Sequence, residues 1–276
     1  MNASWDVGRL AGIRIRLHWT LLALLGVIGL LEWQGGGSPV AAMALYAGVF
    51  VCVLLHELGH SLAARRYGIG TRSITLLPFG GIAALAGLPR GARQELVVAL
   101  AGPAVNVVIA LLLWPVYVLT GWGGMLLAVN VMLVLFNMLP AFPMDGGRVL
   151  RALLSTRMDV VRATRIAVKV GRAIAVGFVV AGLFYNPFLI LIAIVVWTQG
   201  AAELRMLEAQ QVPLPVALSP EDTLSRPLAI FARTGQSEFP VVRDRSLVGV
   251  LRREQLSLAF ARFGPDFPVS AAMERI

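Results

Sequence analysis

The run His56-Glu57-Leu58-Gly59-His60 sets two imidazoles four residues apart. On an α-helix that spacing is one turn, so both side chains share a face and can grip one zinc ion. Glu57 stands beside the first of them, where a carboxylate can take a proton from water whose pKa a zinc ion lowers from about 15.7 to near 7. The chain has three histidines, and two of them fall in this run. The competing reading is a pair of core histidines with a glutamate between them by chance. Against it stands the cost of an acidic residue in an apolar span, about 2.5–3.5 kcal/mol at its centre. Arg65 places the run toward one end of its span, where that cost is smaller.

A catalytic zinc takes a third protein ligand and keeps one position open. His18 stands beside Trp19 with no Glu or second His near it, and reads as an interfacial residue. Cys52 lies one turn before His56 and reads as a small core side chain. Asp145 is the stronger candidate; its alternative is a helix-end carboxylate paired with Arg148. It lies on Asn137-Met138-Leu139-Pro140-Ala141-Phe142-Pro143-Met144-Asp145-Gly146-Gly147-Arg148, where two prolines and two glycines break the backbone. Broken backbone at membrane depth is tolerated only where protein buries it or a wet cavity receives it.

The elements that must position these residues are membrane helices. Of 276 residues, 58% are hydrophobic and 14% charged, with a mean hydropathy of +0.78. A soluble domain carries about 25% charged residues, so an ordinary water-soluble globule is excluded. The single cysteine excludes an intrachain disulfide framework and a four-cysteine zinc site. Apolar runs at 17–31, 40–64, 96–119, 125–139, 174–184 and 188–197 predict six spans, the second and third long enough outright for the ~20 residues a span needs. Arginines precede the first run and crowd the connections after the second and fourth, among them Arg65, Arg66, Arg72, Arg90, Arg148, Arg151 and Arg157. The alternate connections at 32–39, 120–124 and 185–187 contain no Lys or Arg, which puts both termini in the cytoplasm. The first run is expected to stay as a signal-anchor helix, since no small-residue cleavage pattern follows Leu31. Residues 1–200 hold 15 basic and 6 acidic residues, whereas 201–276 hold 9 of each. The net charge of +9 therefore reports topology, and no nucleic-acid partner is expected.

Two further stretches have their own character. Alternation around Pro78-Phe79-Gly80-Gly81 predicts a short hairpin at the membrane edge within residues 69–88. Beyond about residue 201 the chain turns polar; Pro213 and Pro215 mark a linker, and strands are expected at 239–242 and 247–251 with helices around 221–233 and from 253.

Taken together, His56–His60 and Asn137–Gly147 resemble the site-2 protease family of intramembrane zinc metallopeptidases. Pro78-Phe79-Gly80-Gly81 and Ala101-Gly102-Pro103-Ala104-Val105-Asn106 agree with it, and the likeness covers about residues 9–205. It implies one Zn2+ per chain held by His56, His60 and Asp145, with Glu57 as catalytic base. It also implies polar residues near the site at Asn106 and Asn137, each either an oxyanion or substrate-positioning donor or a helix-packing amide. The implied partners are transmembrane protein substrates in a lipid bilayer, cut within or near their membrane segments.

The tail resembles a CBS domain through Phe239-Pro240-Val241-Val242-Arg243-Asp244 and Leu247-Val248-Gly249-Val250-Leu251, with Val269-Ser270-Ala271-Ala272-Met273 as the start of a second copy. Such domains work in pairs that can bind adenine nucleotides. Arg252 and Gln255 stand where the family's ribose-contacting Thr and Asp fall, so a docking or homodimerising unit is an equal reading. The second copy stops at Ile276, which suggests a piece of a longer chain.

The expected architecture is thus a polytopic α-helical membrane protease of about six transmembrane helices with a membrane-edge β-hairpin at 1–205. A small soluble α/β CBS-like unit follows at 206–276. The expected location is the cell membrane. The rivals are a transport or channel protein gated by the tail, and a catalytically silent scaffold that binds membrane segments. A conduit would string ionisable residues along several spans, whereas here the deep ones gather at one end.

Overall fold

A computed structural model of the chain describes residues 4–78, 80–89, 91–211, 216–244 and 246–275. Phe79, Arg90, Pro213, Pro215 and Ile276 lie outside the described residues. The chain divides into two compact units, Met1–Glu208 and Ala209–Ile276.

The first unit opens with two strands, β1 (Ser4–Leu10) and β2 (Ile13–His18), then α1 (Trp19–Gln34) and α2 (Pro39–Arg65). A second pair, β3 (Thr71–Leu77) and β4 (Gly80–Leu85), precedes the helices α3 (Ala92–Thr120), α4 (Gly124–Asn137), α5 (Asp145–Ser155), α6 (Val160–Phe184) and α7 (Phe188–Gln211). The hairpin expected near Pro78 is therefore present, as half of a four-stranded sheet ordered β1-β2-β3-β4. β2 and β3 run parallel, Ile15 facing Ile74, with the α1–α2 pair as the crossover that a parallel pair requires. The sheet buries Ile13, Ile15, Ile74 and Leu76 with Leu21 of α1 and Phe50 of α2. That alternation with Arg14 and Arg16 is the period-2 signature of a half-buried strand.

Four helices are long and apolar enough to cross a membrane: Pro39–Arg65, Ala92–Thr120, Val160–Phe184 and Phe188–Ala209. The first and fourth apolar runs form helices of 16 and 14 residues, shorter than that measure. At 1.5 Å per residue α4 reaches only about 21 Å, against a hydrocarbon core of about 30 Å. The run at 174–184 is the end of a longer helix, α6, which starts at Val160 behind an Asp159 cap accepting from the amides of Val161 and Arg162. Its buried side is Ala163, Thr164, Ala167, Val168, Gly171 and Ala175, spaced three and four apart. Arg162, Arg165, Lys169 and Arg172 thus belong to this helix rather than to a loop. Arg172 lies 4.9 Å over the Trp197 ring.

In the second unit, α8 (Ser225–Thr234), β5 (Glu238–Arg243), β6 (Ser246–Arg252), α9 (Arg253–Phe263), α10 (Val269–Ala272) and β7 (Glu274–Arg275) follow one another. An antiparallel sheet β5-β6-β7 carries Phe239, Val241 and Leu251 into one core with Leu218, Leu224, Leu256 and Val269.

Candidate metal centre

The site begins with two helices of different origin. α2 presents His56 and His60 one turn apart, and Asp145 is the first residue of α5. All three are buried. His56 Nε2 and His60 Nε2 are 3.1 Å apart, and Asp145 Oδ2 is 3.2 and 3.1 Å from them. The three atoms form a nearly equilateral triangle. Ligand atoms about 2.0–2.1 Å from a tetrahedral zinc lie about 3.3–3.4 Å from one another, so the triangle is one face of that tetrahedron to within a few tenths of an ångström. Among the described residues these three are the group that could hold a metal ion, and the donor set of two imidazoles and a carboxylate fits one zinc.

The opposite ring nitrogens face away from the triangle. His60 Nδ1 lies 2.7 Å from the Val98 carbonyl of α3, which can only accept, so this nitrogen carries the proton and Nε2 is left with its lone pair. His56 Nδ1 lies 2.5 Å from Asn106 Oδ1, also on α3. Asn106 is fully buried and its Nδ2 donates 2.8 Å to Asn130 Oδ1 on α4. Both ends of this amide are therefore engaged inside the protein, and its carbonyl oxygen supports an imidazole. Asn137 is half-buried and donates to the Leu133 carbonyl one turn back, at 2.9 Å.

Two glycines explain how the helices come this close. A Cβ on Gly102 would lie 2.2 Å from His60 Nε2 and 2.7 Å from His56 Nε2, so α3 reaches the imidazoles only without a side chain at that position. A Cβ on Gly59 would lie 2.7 Å from the Ala101 carbonyl oxygen, which marks the close crossing of α2 and α3. The broken segment obeys the same logic. A Cβ on Gly146 would lie 2.3 Å from the Leu139 carbonyl oxygen, and one on Gly147 2.7 Å from the Ala141 carbonyl carbon. The α5 N-terminus therefore folds back tightly on 138–144 and delivers Asp145 to α2.

Glu57 is half-buried on the flank of α2, and its Cγ would lie 2.5 Å from a Cβ on Gly81. The hairpin strand β4 thus covers the carboxylate at a residue with no side chain. Burial alone would raise the Asp145 carboxyl; the neighbouring His56 and His60 more than offset it and bring it down to about 2. It is a carboxylate throughout the neutral range.

His18 and Cys52 are not in the triangle. His18 caps α1, its Nδ1 lying 2.7 Å from Thr20 Oγ1. Cys52 is buried and its sulfur accepts from Asn130 Nδ2 at 3.3 Å. Arg148 is exposed, so the helix-end pairing considered for Asp145 gives way to the two histidines.

The sequence reading passed over Asn130 and an ionic group behind α5. Arg151 Nε donates to Glu95 Oε1 of α3 at 2.7 Å and its Nη1 to Glu203 Oε1 of α7 at 2.5 Å. It also lies 5.1 Å over the Phe142 ring. Burial pulls the Arg151 pKa down, and the two carboxylates more than reverse it. The signal for Asn130 was available: an amide in the middle of an apolar helix needs an internal partner.

The family model of peptidase family M50 matches residues 44–123 and 119–178. The chain is 34% identical over 271 residues to a zinc metalloprotease of Methanocaldococcus jannaschii, covering 91% of this chain and 78% of that one. It is 30% identical over 162 residues to the stage IV sporulation protein FB of Bacillus subtilis, covering 57% of this chain and 53% of the relative, so only about half of that protein's length is represented. Among solved structures, the site-2 protease from Methanocaldococcus jannaschii superimposes with a TM-score of 0.55 at 35% identity, over 73% of this chain and 95% of that chain.

Proposed function

This chain belongs to peptidase family M50, and from that premise we propose how its residues divide the work of peptide-bond hydrolysis. It is an intramembrane zinc metalloprotease. We assign His56, His60 and Asp145 as the zinc ligands and Glu57 as the general base. The single observation that carries this is the triangle of three buried donor atoms, with Glu57 one residue along the same helix.

A bound zinc supplies Lewis acidity, polarising a substrate carbonyl and acidifying water to a pKa near 7. The chain supplies the rest. Glu57 takes the proton from the attacking water and returns it to the departing amide nitrogen, so one carboxylate serves both transfers. β4 is an edge strand of the sheet and lies against Glu57 at Gly81. Its free edge offers main-chain hydrogen bonds to an extended substrate segment beside the base. Pro or Gly in the substrate aids this step, because a helical segment must unwind before its carbonyl is accessible. Asn137 keeps its role as a substrate-positioning candidate, with its Nδ2 returned to the helix until substrate competes for it.

The finer architecture is also proposed. α1 and α4 cross the bilayer with the four longer helices, making six spans in the cell membrane with both termini cytoplasmic, as the arginine-free alternate connections indicate. Residues 206–276 act as a CBS-like regulatory or homodimerising unit. Adenine nucleotide is the ligand to test there, against the departure at Arg252, which pairs with Glu238 and Glu274.

The test is cleavage of a model transmembrane substrate by purified protein in detergent, with zinc quantified in the same samples. Wild type cuts and carries one zinc, Glu57→Gln carries zinc without cutting, and Asp145→Ala loses zinc. A zinc-free wild type under metal-replete conditions overturns the ligand assignment.

A further inference from the structure

Asn130 lies in the middle of α4 and is fully buried, yet it touches no ligand atom of the site. Its Nδ2 donates to two acceptors at once, the Leu126 carbonyl at 2.8 Å and Cys52 Sγ at 3.3 Å. An amide nitrogen has two protons, so both are spent. The Leu126 carbonyl has no proton to give. Turning the amide over would set Oδ1 against that carbonyl oxygen, two acceptors in contact with no water to intervene. The orientation of Asn130 is therefore fixed by the backbone of its own helix.

That constraint propagates. Asn130 Oδ1 faces Asn106, which must present Nδ2, as it does at 2.8 Å. Asn106 then has only Oδ1 left for His56, and His56 must hold its proton on Nδ1 to meet it at 2.5 Å. The lone pair of His56 is thereby left on Nε2, at the triangle. His60 reaches the same state directly, through the Val98 carbonyl. The two histidines thus answer to two backbone carbonyls, one adjacent and one three residues removed.

We propose that Asn130 is a positioning residue for the metal centre, setting the tautomer and ring orientation of His56 through Asn106 by anchoring the pair to the Leu126 carbonyl. The proposal rests on the assignment of His56 as a zinc ligand through Nε2. It adds a fourth helix, α4, to the two that carry the ligands and to α3, which lines them.

With only three histidines in the chain, ring signals are assignable in the full-length zinc-loaded protein labelled with ¹⁵N-histidine in detergent. Three variants are compared: Asn130→Leu, Asn106→Leu and the double. In Asn130→Leu the His56 Nδ1–H resonance moves and exchanges faster with water, while that of His60 stays. Outer partners of metal-bound histidines are worth about 10–100-fold in metal affinity, and Asn106→Leu is expected in that range with Asn130→Leu at its lower end. The double variant binds zinc within about twofold of Asn106→Leu, since interactions in one chain of contacts are not additive. Asn130→Ser, which can donate to the Leu126 carbonyl and accept from Asn106, supplies the same comparison if leucine prevents folding; its His56 shift is smaller.

A His56 resonance unmoved in Asn130→Leu overturns the proposal. So do equal movements of His56 and His60, or a double variant weakened by the product of the single factors. Failure of the underlying ligand reading looks different: wild type then binds no zinc, or binds it with His56 Nε2 still protonated.

Discussion

Glu57 sits between its own helix and the bare backbone of Gly81, so its position depends on a side chain that is absent. Gly81→Ala is expected to displace the carboxylate, lowering turnover while zinc content stays at one per chain; metal analysis beside a cleavage assay reads both. Glu57→Gln keeps the shape and removes the proposed base, and general-base loss costs about 10²–10⁴-fold in rate. Gly102→Ala acts on the metal itself. Its Cβ would fall 2.2 Å from His60 Nε2, so the variant is expected to lose zinc while its helical circular dichroism stays unchanged. Retained stoichiometric zinc in Gly102→Ala would show that α3 can retreat.

At the scale of elements, the question is what holds α5 where Asp145 meets α2. The glycines at 146 and 147 let its first turn nest on the broken segment, and Arg151 one and a half turns later ties it to α3 and α7. Removing one member of a buried ion pair costs about 3–5 kcal/mol, because the partner is left buried and uncompensated. Arg151→Leu removes the buried member and leaves two half-buried carboxylates, Glu95 and Glu203, without it. It is expected to lower the thermal midpoint sharply and weaken zinc binding, whereas adding Glu95→Gln and Glu203→Gln recovers part of the loss. Equal midpoints for the single and triple variants would mean the ionic group contributes little. In the second unit, Phe239 is fully buried in the core, and Phe→Ala in a core costs about 3–5 kcal/mol. Phe239→Ala is expected to make residues 209–276 protease-sensitive with zinc content unchanged.

For the whole molecule, metal and fold are linked. A ligand that binds only the folded state adds about 4.1 kcal/mol at a thousand times its Kd. Stripping zinc with a chelator should lower the thermal midpoint of wild type, restorably, and leave Asp145→Ala unmoved; a chelator shift in Asp145→Ala would place the metal elsewhere. The six-span arrangement has its own test. Cysteines at Gln34, Thr120 and Tyr185 should react with an impermeant reagent from outside the cell, and those at Arg157 and Ser257 only after lysis. The gathering of His56, Glu57, His60 and Asp145 at one place also argues against a conduit, which would need ionisable groups along its length.

The spacing of His56 and His60 is local, one helical turn, so no tertiary information was needed to see a paired ligand. The same holds for the long helices, whose apolar length is written in one dimension, and for the strands of the tail, where alternation and glycines mark period and turn. Asp145 was nameable from its broken segment, but that it reaches the histidines depends on glycines whose purpose is visible only when the opposing backbone is in place. Hydropathy hid the start of α6, because its basic and small residues average out along the chain while separating cleanly around the helix. The N-terminal strands were hidden likewise, Arg14 and Arg16 reading as topology signals until Ile13 and Ile15 met Ile74 and Leu76. Asn106, Asn130 and Cys52 lie far apart in sequence, and a hydrogen bond has direction. Which end of each amide faces which partner was therefore decided by three helices packing together.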